Sequence, residues 1–230
     1  MKLLAIESSS LVASVAIVED DVMIAEYTMN YKKTHSQTLL PMIDEMCRIT
    51  DYELADIDAI AVSAGPGSFT GLRIGSATAK GLGLALKKPL IHIPTVEAMA
   101  YNVFDTDKYI VPIMDARRNQ VYAGIYTNIQ GNVETILGQS ILMIDELVEK
   151  INELGHDVIF LGDGIVPFHD MILEKAKVNV LFAPANMNRQ KAGAVAELAK
   201  KYYKQGKIET AAEHAPDYLR LSQAERERNA

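Results

Sequence analysis

The chain has 230 residues, of which 49% are hydrophobic and 23% are charged. This length suits one large domain or two small lobes, and the apolar share excludes a disordered or low-complexity protein. The formal net charge of −7 predicts that the chain alone binds nucleic acid poorly, because the phosphates would on average be repelled.

Cys47 is the only cysteine, so no internal disulfide can form, which fits a reducing compartment. The apolar run at the start meets Glu7 too early for a signal peptide, and no apolar stretch has the roughly 18 residues that a membrane span needs. We therefore expect a soluble, cytoplasmic protein that does not bind a membrane.

Hydrophobic periodicity predicts the same order of elements, βββαβαβα, in each half of the chain. In the first half, the three strands fall within residues 2–30, followed by a helix near 35–49, a strand at 58–64, a helix over 70–86, a strand at 89–93 and a helix over 95–103. In the second half, the elements are strands at 109–115, 120–127 and 133–141, a helix over 145–154, a strand at 158–163, a helix near 166–176, a strand at 179–183 and a helix over 189–205.

This recurrence predicts an α/β fold of two actin-like (ASKHA) lobes, each a mixed sheet flanked by helices, with a cleft between them. The predicted N-terminal lobe covers residues 1–104 and the C-terminal lobe residues 105–230. The alternative is one large α/β sheet. The pattern leaves open whether the helix over 189–205 packs on its own lobe or returns to the first.

A glycine-rich segment, SAGPGSFTGLRIG, links the strand at 58–64 to the next helix. Glycine there permits a tight turn, and Ser68 or Thr70 can cap the helix. The spacing matches neither a dinucleotide fingerprint nor a P-loop, which favours a plain turn over an anion site. Ser9, Gly67 and Ser68 are the candidate contacts to an anion or nucleotide.

Gly71, Gly75, Ala79 and Gly83 recur every fourth residue and form a narrow strip along the predicted helix. Each glycine costs a helix up to about 1 kcal/mol relative to alanine, so another element must pass close to this strip. Packing within the lobe and packing across a subunit interface remain equally open.

The sequence carries no strong signature of catalysis. No two of its five histidines lie within five residues of each other, and the zinc motif CxxC and the nucleophile motif GxSxG are absent, so we expect no metal site. A sugar-kinase-like enzyme with ATP between the lobes is the alternative, and Glu7, Asp115 and Asp163 are its candidate acids.

Five segments carry a resemblance that runs along the whole chain: LLAIESSS at the start, THSQTLLPMIDEM at 34–46, SAGPGSFTGLRIG at 63–75, DARRNQVYAGIY at 115–126 and PDYLRLSQAERE at 216–227. Together they resemble the TsaB (YeaZ) proteins of bacteria. The most specific piece is GPGSFTGLR in its strand-turn-helix setting.

The resemblance implies a non-catalytic scaffold subunit of the machinery that adds a threonylcarbamoyl group to the adenosine beside the anticodon of tRNAs. The implied partners are a catalytic TsaD-type paralogue, a TsaE-type ATPase and a second copy of the chain, and tRNA is contacted only through the complex. No tightly bound cofactor is implied, and ATP or ADP is expected only at the complex interface.

The resemblance also implies that partners dock on the N-terminal lobe, through the helix near 35–49 and the glycine-bearing helix. The implied interface residues are His35, Leu39, Leu40, Ile43, Met46, Gly71, Arg73, Gly75, Ala79 and Gly83. The paralogue's HxxxH metal motif corresponds here to residues 95–99, where Thr95 and Met99 replace the two histidines. Glu7-Ser8 replaces the Asp-Thr that is usual in the first turn of the family, which weakens any direct nucleotide role there.

Overall fold

The computed structural model describes residues 1–219, in which ten strands and six α-helices follow the predicted order. The first half contains β1 (Lys2–Glu7), β2 (Val12–Glu19), β3 (Val22–Asn30), α1 (His35–Thr50), β4 (Ala59–Gly65), α2 (Phe69–Leu86), β5 (Leu90–Pro94) and α3 (Thr95–Ala100). The second half contains β6 (Thr106–Asp115), β7 (Gln120–Ile129), β8 (Asn132–Met143), α4 (Ile144–Leu154), β9 (Val158–Leu161), α5 (Ile165–Lys175), β10 (Val180–Phe182) and α6 (Ala192–Lys204).

The strands form two separate five-stranded sheets, with the orders β3-β2-β1-β4-β5 and β10-β9-β6-β7-β8. In the first sheet, β1 pairs antiparallel with β2 and parallel with β4. In the second, β6 pairs antiparallel with β7 and parallel with β9. The prediction of two mixed sheets flanked by helices is confirmed, and a single large sheet is excluded.

The N-terminal sheet is covered on both faces, which explains why β4 is buried at all seven positions. One face packs on α1 and α2 through residues such as Leu39 and Ile43 of α1 and Ala79 of α2. The other face packs on α6, whose Val195, Ala196 and Leu198 contact residues such as Leu3 and Ala5. The last helix therefore belongs spatially to the first lobe.

The start of α6 is fixed by side chains of the N-terminal sheet. The Ser14 hydroxyl accepts a hydrogen bond from the Ala192 amide at 3.0 Å, and the Glu26 carboxylate accepts one from the Gly193 amide at 2.8 Å. These contacts satisfy two amides that a helix N-terminus leaves without partners. They tie the second half of the chain to β2 and β3.

The structure differs from the sequence prediction mainly at element ends. The short helix α3 stops at Ala100, because the next amides bond in the tighter i to i+3 pattern. The last helix begins at Ala192 rather than 189, and a 3₁₀ turn at Leu54–Asp56 was not predicted. Over residues 1–219, no helix is long and apolar enough to cross a membrane. Residues 220–230, the charged end of the predicted C-terminal lobe, lie outside the described part.

Candidate functional site

A cleft between the two lobes encloses a cavity of about 750 Å³. From the N-terminal lobe, it is lined by the turn after β1 and by the glycine-rich loop before α2. From the other lobe, it is lined by Asp115, the last residue of β6, and by Asp163, which follows the carboxyl end of β9. The structure thus brings the three candidate anion contacts, Ser9, Gly67 and Ser68, to the same cleft as two candidate acids.

The glycines of the loop lie against the chain itself. A Cβ atom at Gly67 would approach the Ser9 carbonyl oxygen to 2.3 Å, and one at Gly71 would approach the Ser8 carbonyl oxygen to 2.1 Å. Both positions therefore need glycine because the first turn passes so closely. Close packing within the lobe accounts for them without a bound phosphate.

Ser68 is also engaged within the chain. Its amide donates to the Ser9 carbonyl oxygen at 2.6 Å, and its hydroxyl accepts from the Gly71 amide at 3.3 Å as the cap of α2. The predicted cap is confirmed at Ser68. Some of the hydrogen-bond donors that would contact an anion are therefore already bonded within the chain. An anion contact at these residues stays a prediction.

Asp115 and Asp163 line the cleft, and Glu7 is bonded to Ser9, which also lines it. Glu7 is buried, and burial raises the pKa of its carboxyl. Hydrogen bonds from Ser9, one of them from its amide at 2.6 Å, oppose that rise, and the Asp163 charge adds a smaller increase. Burial likewise raises the pKa of Asp163, with a smaller contribution from Asp115. Asp115 accepts the Arg117 amide at 2.7 Å and pairs with its guanidinium at 3.5 Å.

Most of the predicted interface residues of α1 point inward. Leu39, Ile43 and Met46 belong to the core under the helix, and their exposures are 1%, 2% and 3%. His35 is buried too, with Nε2 bonded to the Ser10 carbonyl group at 2.8 Å. Leu40 is the exception, since 53% of it is exposed.

The small-residue strip of α2 also faces its own lobe. A Cβ atom at Gly75 would lie 2.2 Å from the Ser8 hydroxyl oxygen, and one at Gly83 would lie 2.5 Å from the Leu90 side chain. Ala79 is fully buried. Of the two explanations left open by the sequence, packing within the lobe accounts for this strip.

The exposed Arg73 contacts the end of the described chain. Its guanidinium lies over the Phe69 ring, 3.9 Å from the centroid, and its Nε donates to the Tyr218 hydroxyl at 3.2 Å. The Phe69 and Tyr218 rings are 4.7 Å apart. Arg73 therefore anchors the C-terminal segment on α2, a role that the sequence did not indicate.

A second small-residue strip on α2 was missed by the sequence analysis. Ala77, Gly81 and Ala85 are exposed and lie four residues apart, beside Leu84, which is 66% exposed. A Cβ atom at Gly81 would meet nothing within 4 Å. Next to this strip, Leu82 and Leu40 line a groove of about 640 Å³ between α2 and α1.

Comparisons with known proteins place the chain in a family. A family model described as TsaD, tRNA N6-adenosine threonylcarbamoyltransferase, matches residues 23–228. The tRNA threonylcarbamoyladenosine biosynthesis protein TsaB of Bacillus subtilis is 34% identical over 98% of this chain and 96% of its own length. The chain belongs to the TsaB family. The Escherichia coli TsaB is 30% identical, over 96% of this chain and 95% of its own length.

Solved structures agree with this family and with the actin-like fold. YeaZ from Pseudomonas aeruginosa superposes with a TM-score of 0.80 at 25% identity, covering 94% of this chain and 99% of that one. The ROK hexokinase from Thermus thermophilus superposes with a TM-score of 0.51 at 10% identity, covering 90% of this chain and 100% of the enzyme. The second likeness shows the fold alone.

In this TsaB-family chain, the stretch that corresponds to the paralogue's metal motif is packed inside the molecule. Thr95 and Met99 on α3 are buried, with exposures of 0% and 1%. Neither side chain supplies a strong nitrogen ligand. The retained Glu97 accepts a hydrogen bond from the Tyr202 hydroxyl at 3.1 Å, so it links α3 to α6.

Proposed function

We propose that this chain is a non-catalytic scaffold subunit of tRNA threonylcarbamoyladenosine biosynthesis. It docks on a TsaD-type catalytic subunit through the outward faces of α1 and α2 and stabilises that subunit's active state. The family relationship supports the pathway. The exposed apolar face of the N-terminal lobe supports the mode of action.

Gly81 carries the docking proposal. Glycine in the middle of a helix costs up to about 1 kcal/mol relative to alanine, and a neighbouring element usually explains it. Nothing in residues 1–219 lies within 4 Å of a Cβ atom at Gly81. Together with Ala77, Ala85 and the exposed Leu40 and Leu84, it forms a face that another helix can approach closely.

The proposed interface therefore differs from the one that the family resemblance implied. The proposed partner contacts are the exposed residues Leu40, Ala77, Gly81, Leu84 and Ala85. The buried residues of the implied interface, which are Leu39, Ile43, Met46 and the inward glycines, pack beneath this face. A second copy of the chain would use the same face. Homodimer and heterodimer then compete, because one face cannot serve two partners at once.

Three features support a non-catalytic role. The α3 stretch lacks the histidines of the metal motif. Glu7 is buried and bonded to the backbone of its own turn, and Asp115 is paired with Arg117. Neither of these two carboxylates is presented to a substrate as an open general base. The threonylcarbamoyl transfer then takes place on the partner, and tRNA is bound by the complex.

The remaining partners follow from the same proposal. A TsaE-type ATPase acts on the assembled complex, and ATP or ADP binds where the proteins meet rather than tightly to this chain. The site of action is the cytoplasm, where tRNA is modified.

Binding to the TsaD-type protein of the same organism tests the docking face. Leu40→Glu should weaken the complex at least 30-fold, roughly the 2 kcal/mol of an interface hot spot, because an unpaired carboxylate would be buried. The matched control is Leu173→Glu on α5, where the leucine is 51% exposed on the other lobe. Equal affinities for the two variants in calorimetry would refute the assigned face.

The kinase alternative rests on one observation: Asp115 and Asp163 both line the cleft between the lobes. Acids grouped in this way can hold a magnesium ion with a nucleotide. Purified chain that binds ATP at micromolar concentration and hydrolyses or transfers its γ-phosphate, with loss of both in Asp163→Asn, would favour that function over the scaffold.

A further inference from the structure

Two histidines that are far apart in the sequence meet at the edge of the N-terminal sheet. His92 lies on the edge strand β5 and His214 on the segment that follows α6, and their ring centroids are 5.7 Å apart. Glu209 lies between them: its Oε1 is 2.5 Å from Nδ1 of His214 and 3.8 Å from Nδ1 of His92. One ligand atom from each residue falls within 4.8 Å of the other two.

The backbone holds these three side chains in place. Glu209 and Leu90 exchange two backbone hydrogen bonds of 2.9 Å each, which adds residue 209 to the edge of the sheet beside His92. The carbonyl oxygen of His214 accepts a hydrogen bond from the Lys80 ammonium on α2 at 2.8 Å. Backbone and side-chain contacts from β5, α2 and the C-terminal segment therefore hold the cluster in place.

An acidic residue supports the cluster from outside. Nε2 of His92 lies 2.9 Å from Asp217 Oδ2, so that nitrogen donates to a carboxylate while Nδ1 faces Glu209. A carboxylate bonded to the remote nitrogen is the usual support of a metal-binding histidine, because it fixes the tautomer and raises the ring's basicity. Asp217 itself is held by its amide, which donates to the Ala64 carbonyl oxygen at 2.7 Å.

We propose that His92, Glu209 and His214 bind a divalent transition-metal ion of the Zn²⁺ class, which fastens the C-terminal segment to the edge strand of the N-terminal lobe. Two imidazoles and one carboxylate are a donor set that suits zinc, with water in the fourth position. Ligands of a tetrahedral zinc ion lie roughly 3.4 Å apart when each is about 2.0–2.1 Å from the metal. The separations in the cluster lie on both sides of that value, so small side-chain shifts complete the site.

The accessibility of the ligands fits this role. Nδ1 of His214 is the nitrogen that faces Glu209, 2.5 Å from its Oε1. The other nitrogen of the His214 ring, Nε2, is buried and has no hydrogen-bond partner within the described residues. The side chains of His92 and Glu209 are 28% and 25% exposed, which leaves a path for the ion to enter.

Binding of Zn²⁺ to the full-length, tag-free chain tests the proposal. After dialysis against a chelator, we expect calorimetry to give one Zn²⁺ per chain, and Zn²⁺ should raise the melting temperature by mass action. His92→Asn and Glu209→Gln should lose stoichiometric binding, and Asp217→Asn should weaken it about 10- to 100-fold. His169→Asn, which removes an exposed histidine paired with Asp170 on α5, is the matched control and should bind as the wild type does.

Glu209→Gln separates a metal site from a purely hydrogen-bonded anchor. Its amide oxygen still accepts the bond from His214, so its melting temperature in chelator should match that of the wild type, while the Zn²⁺-dependent rise disappears. Replacing Zn²⁺ by Co²⁺ should give the intense visible absorption of a four-coordinate ion. A wild-type chain without stoichiometric binding, equal binding by the His92 and Glu209 variants, or a weak six-coordinate Co²⁺ spectrum would overturn the proposal.

Discussion

Gly71 and Gly81 lie on the same helix, and the folded chain surrounds them differently. A Cβ atom at Gly71 would come within 2.1 Å of the backbone oxygen of Ser8, whereas one at Gly81 would meet nothing within 4 Å. The backbone at Ser8 cannot move aside for an added Cβ atom as the end of a flexible side chain can. Gly71 is therefore needed for close packing inside the lobe, whereas Gly81 lies on the face that we propose as the docking surface.

The same substitution at these positions should have opposite effects on stability. Gly71→Ala should lower the free energy of unfolding by about 1–3 kcal/mol through overpacking. Gly81→Ala should raise it by up to about 1 kcal/mol, because an exposed helix position gains from alanine. Urea denaturation of the isolated chain measures both, and a loss of stability in Gly81→Ala would contradict the assigned environment.

Glu7 gives the chain a defined pH dependence. Burial raises the pKa of its carboxyl above the ordinary 4.5, so the folded state retains this proton to a higher pH than the unfolded state does. The unfolded chain thus binds fewer protons above pH 4.5, and stability falls as the pH rises through the folded pKa.

Glu7→Gln should therefore melt at a higher temperature than the wild type at pH 8. Its amide oxygen can still accept the Ser9 amide, and the difference should shrink below the ordinary carboxyl pKa, where Glu7 is neutral in both states. Glu174→Gln on the exposed face of α5 is the control. Melting curves from pH 4 to 8 with a constant difference between Glu7→Gln and wild type would show that Glu7 carries no buried charge.

Sequence spacing identified one close-packed face of α2 but not the direction in which that face points. The recurrence of Gly71, Gly75, Ala79 and Gly83 indicated close packing, yet only the path of the first turn shows that the packing is internal. The outward strip at Ala77, Gly81 and Ala85 has the same spacing, so periodicity alone could not rank the two. The meeting of His92 with His214 depends on a tertiary contact that no local pattern contains.

At the scale of elements, the strands and helices were predictable because each has one consistent pattern. The strands β1 and β4 are apolar runs buried on both faces, and α4 has its apolar residues at helical spacing. The lengths of α3 and α6 were overestimated, because where each helix ends depends on its surroundings. The position of α6 on the first sheet could not be derived from its own residues.

The helix α6 closes one face of the N-terminal sheet, so residues 1–104 lack part of their core. Without α6, the apolar side chains of Leu3 and Ala5 would face water. We predict that a fragment of residues 1–104 binds a hydrophobic dye and unfolds without a cooperative transition. Fusing residues 189–219 to it through a flexible glycine-serine linker should restore cooperativity, as measured by circular dichroism against temperature.

A sharp melting transition of the unfused fragment, near that of the full chain, would contradict this dependence on α6. Residues 1–104 would then fold independently of the rest of the chain.

At the scale of the whole molecule, the two lobes keep the architecture of an actin-like enzyme, while this chain's residues support binding more than chemistry. The cleft is lined by a loop closed on its own backbone, by Asp115, which pairs with Arg117, and by Asp163. The outer face of α1 and α2 is an exposed surface with apolar residues, among them Leu40 and Leu84. In the proposed function, the chain alters a reaction by favouring one conformation of the subunit that performs it.

Reconstituted formation of threonylcarbamoyladenosine on tRNA tests this account most directly. The reaction would contain threonylcarbamoyl-adenylate, the TsaD-type and TsaE-type proteins of the same organism, and either wild-type chain, Leu40→Glu or Leu173→Glu. We predict full modification with the wild type and Leu173→Glu, at least 30-fold slower modification with Leu40→Glu at subsaturating concentration, and none with this chain alone. Modification by the chain alone, or an undiminished rate with Leu40→Glu, would contradict the account.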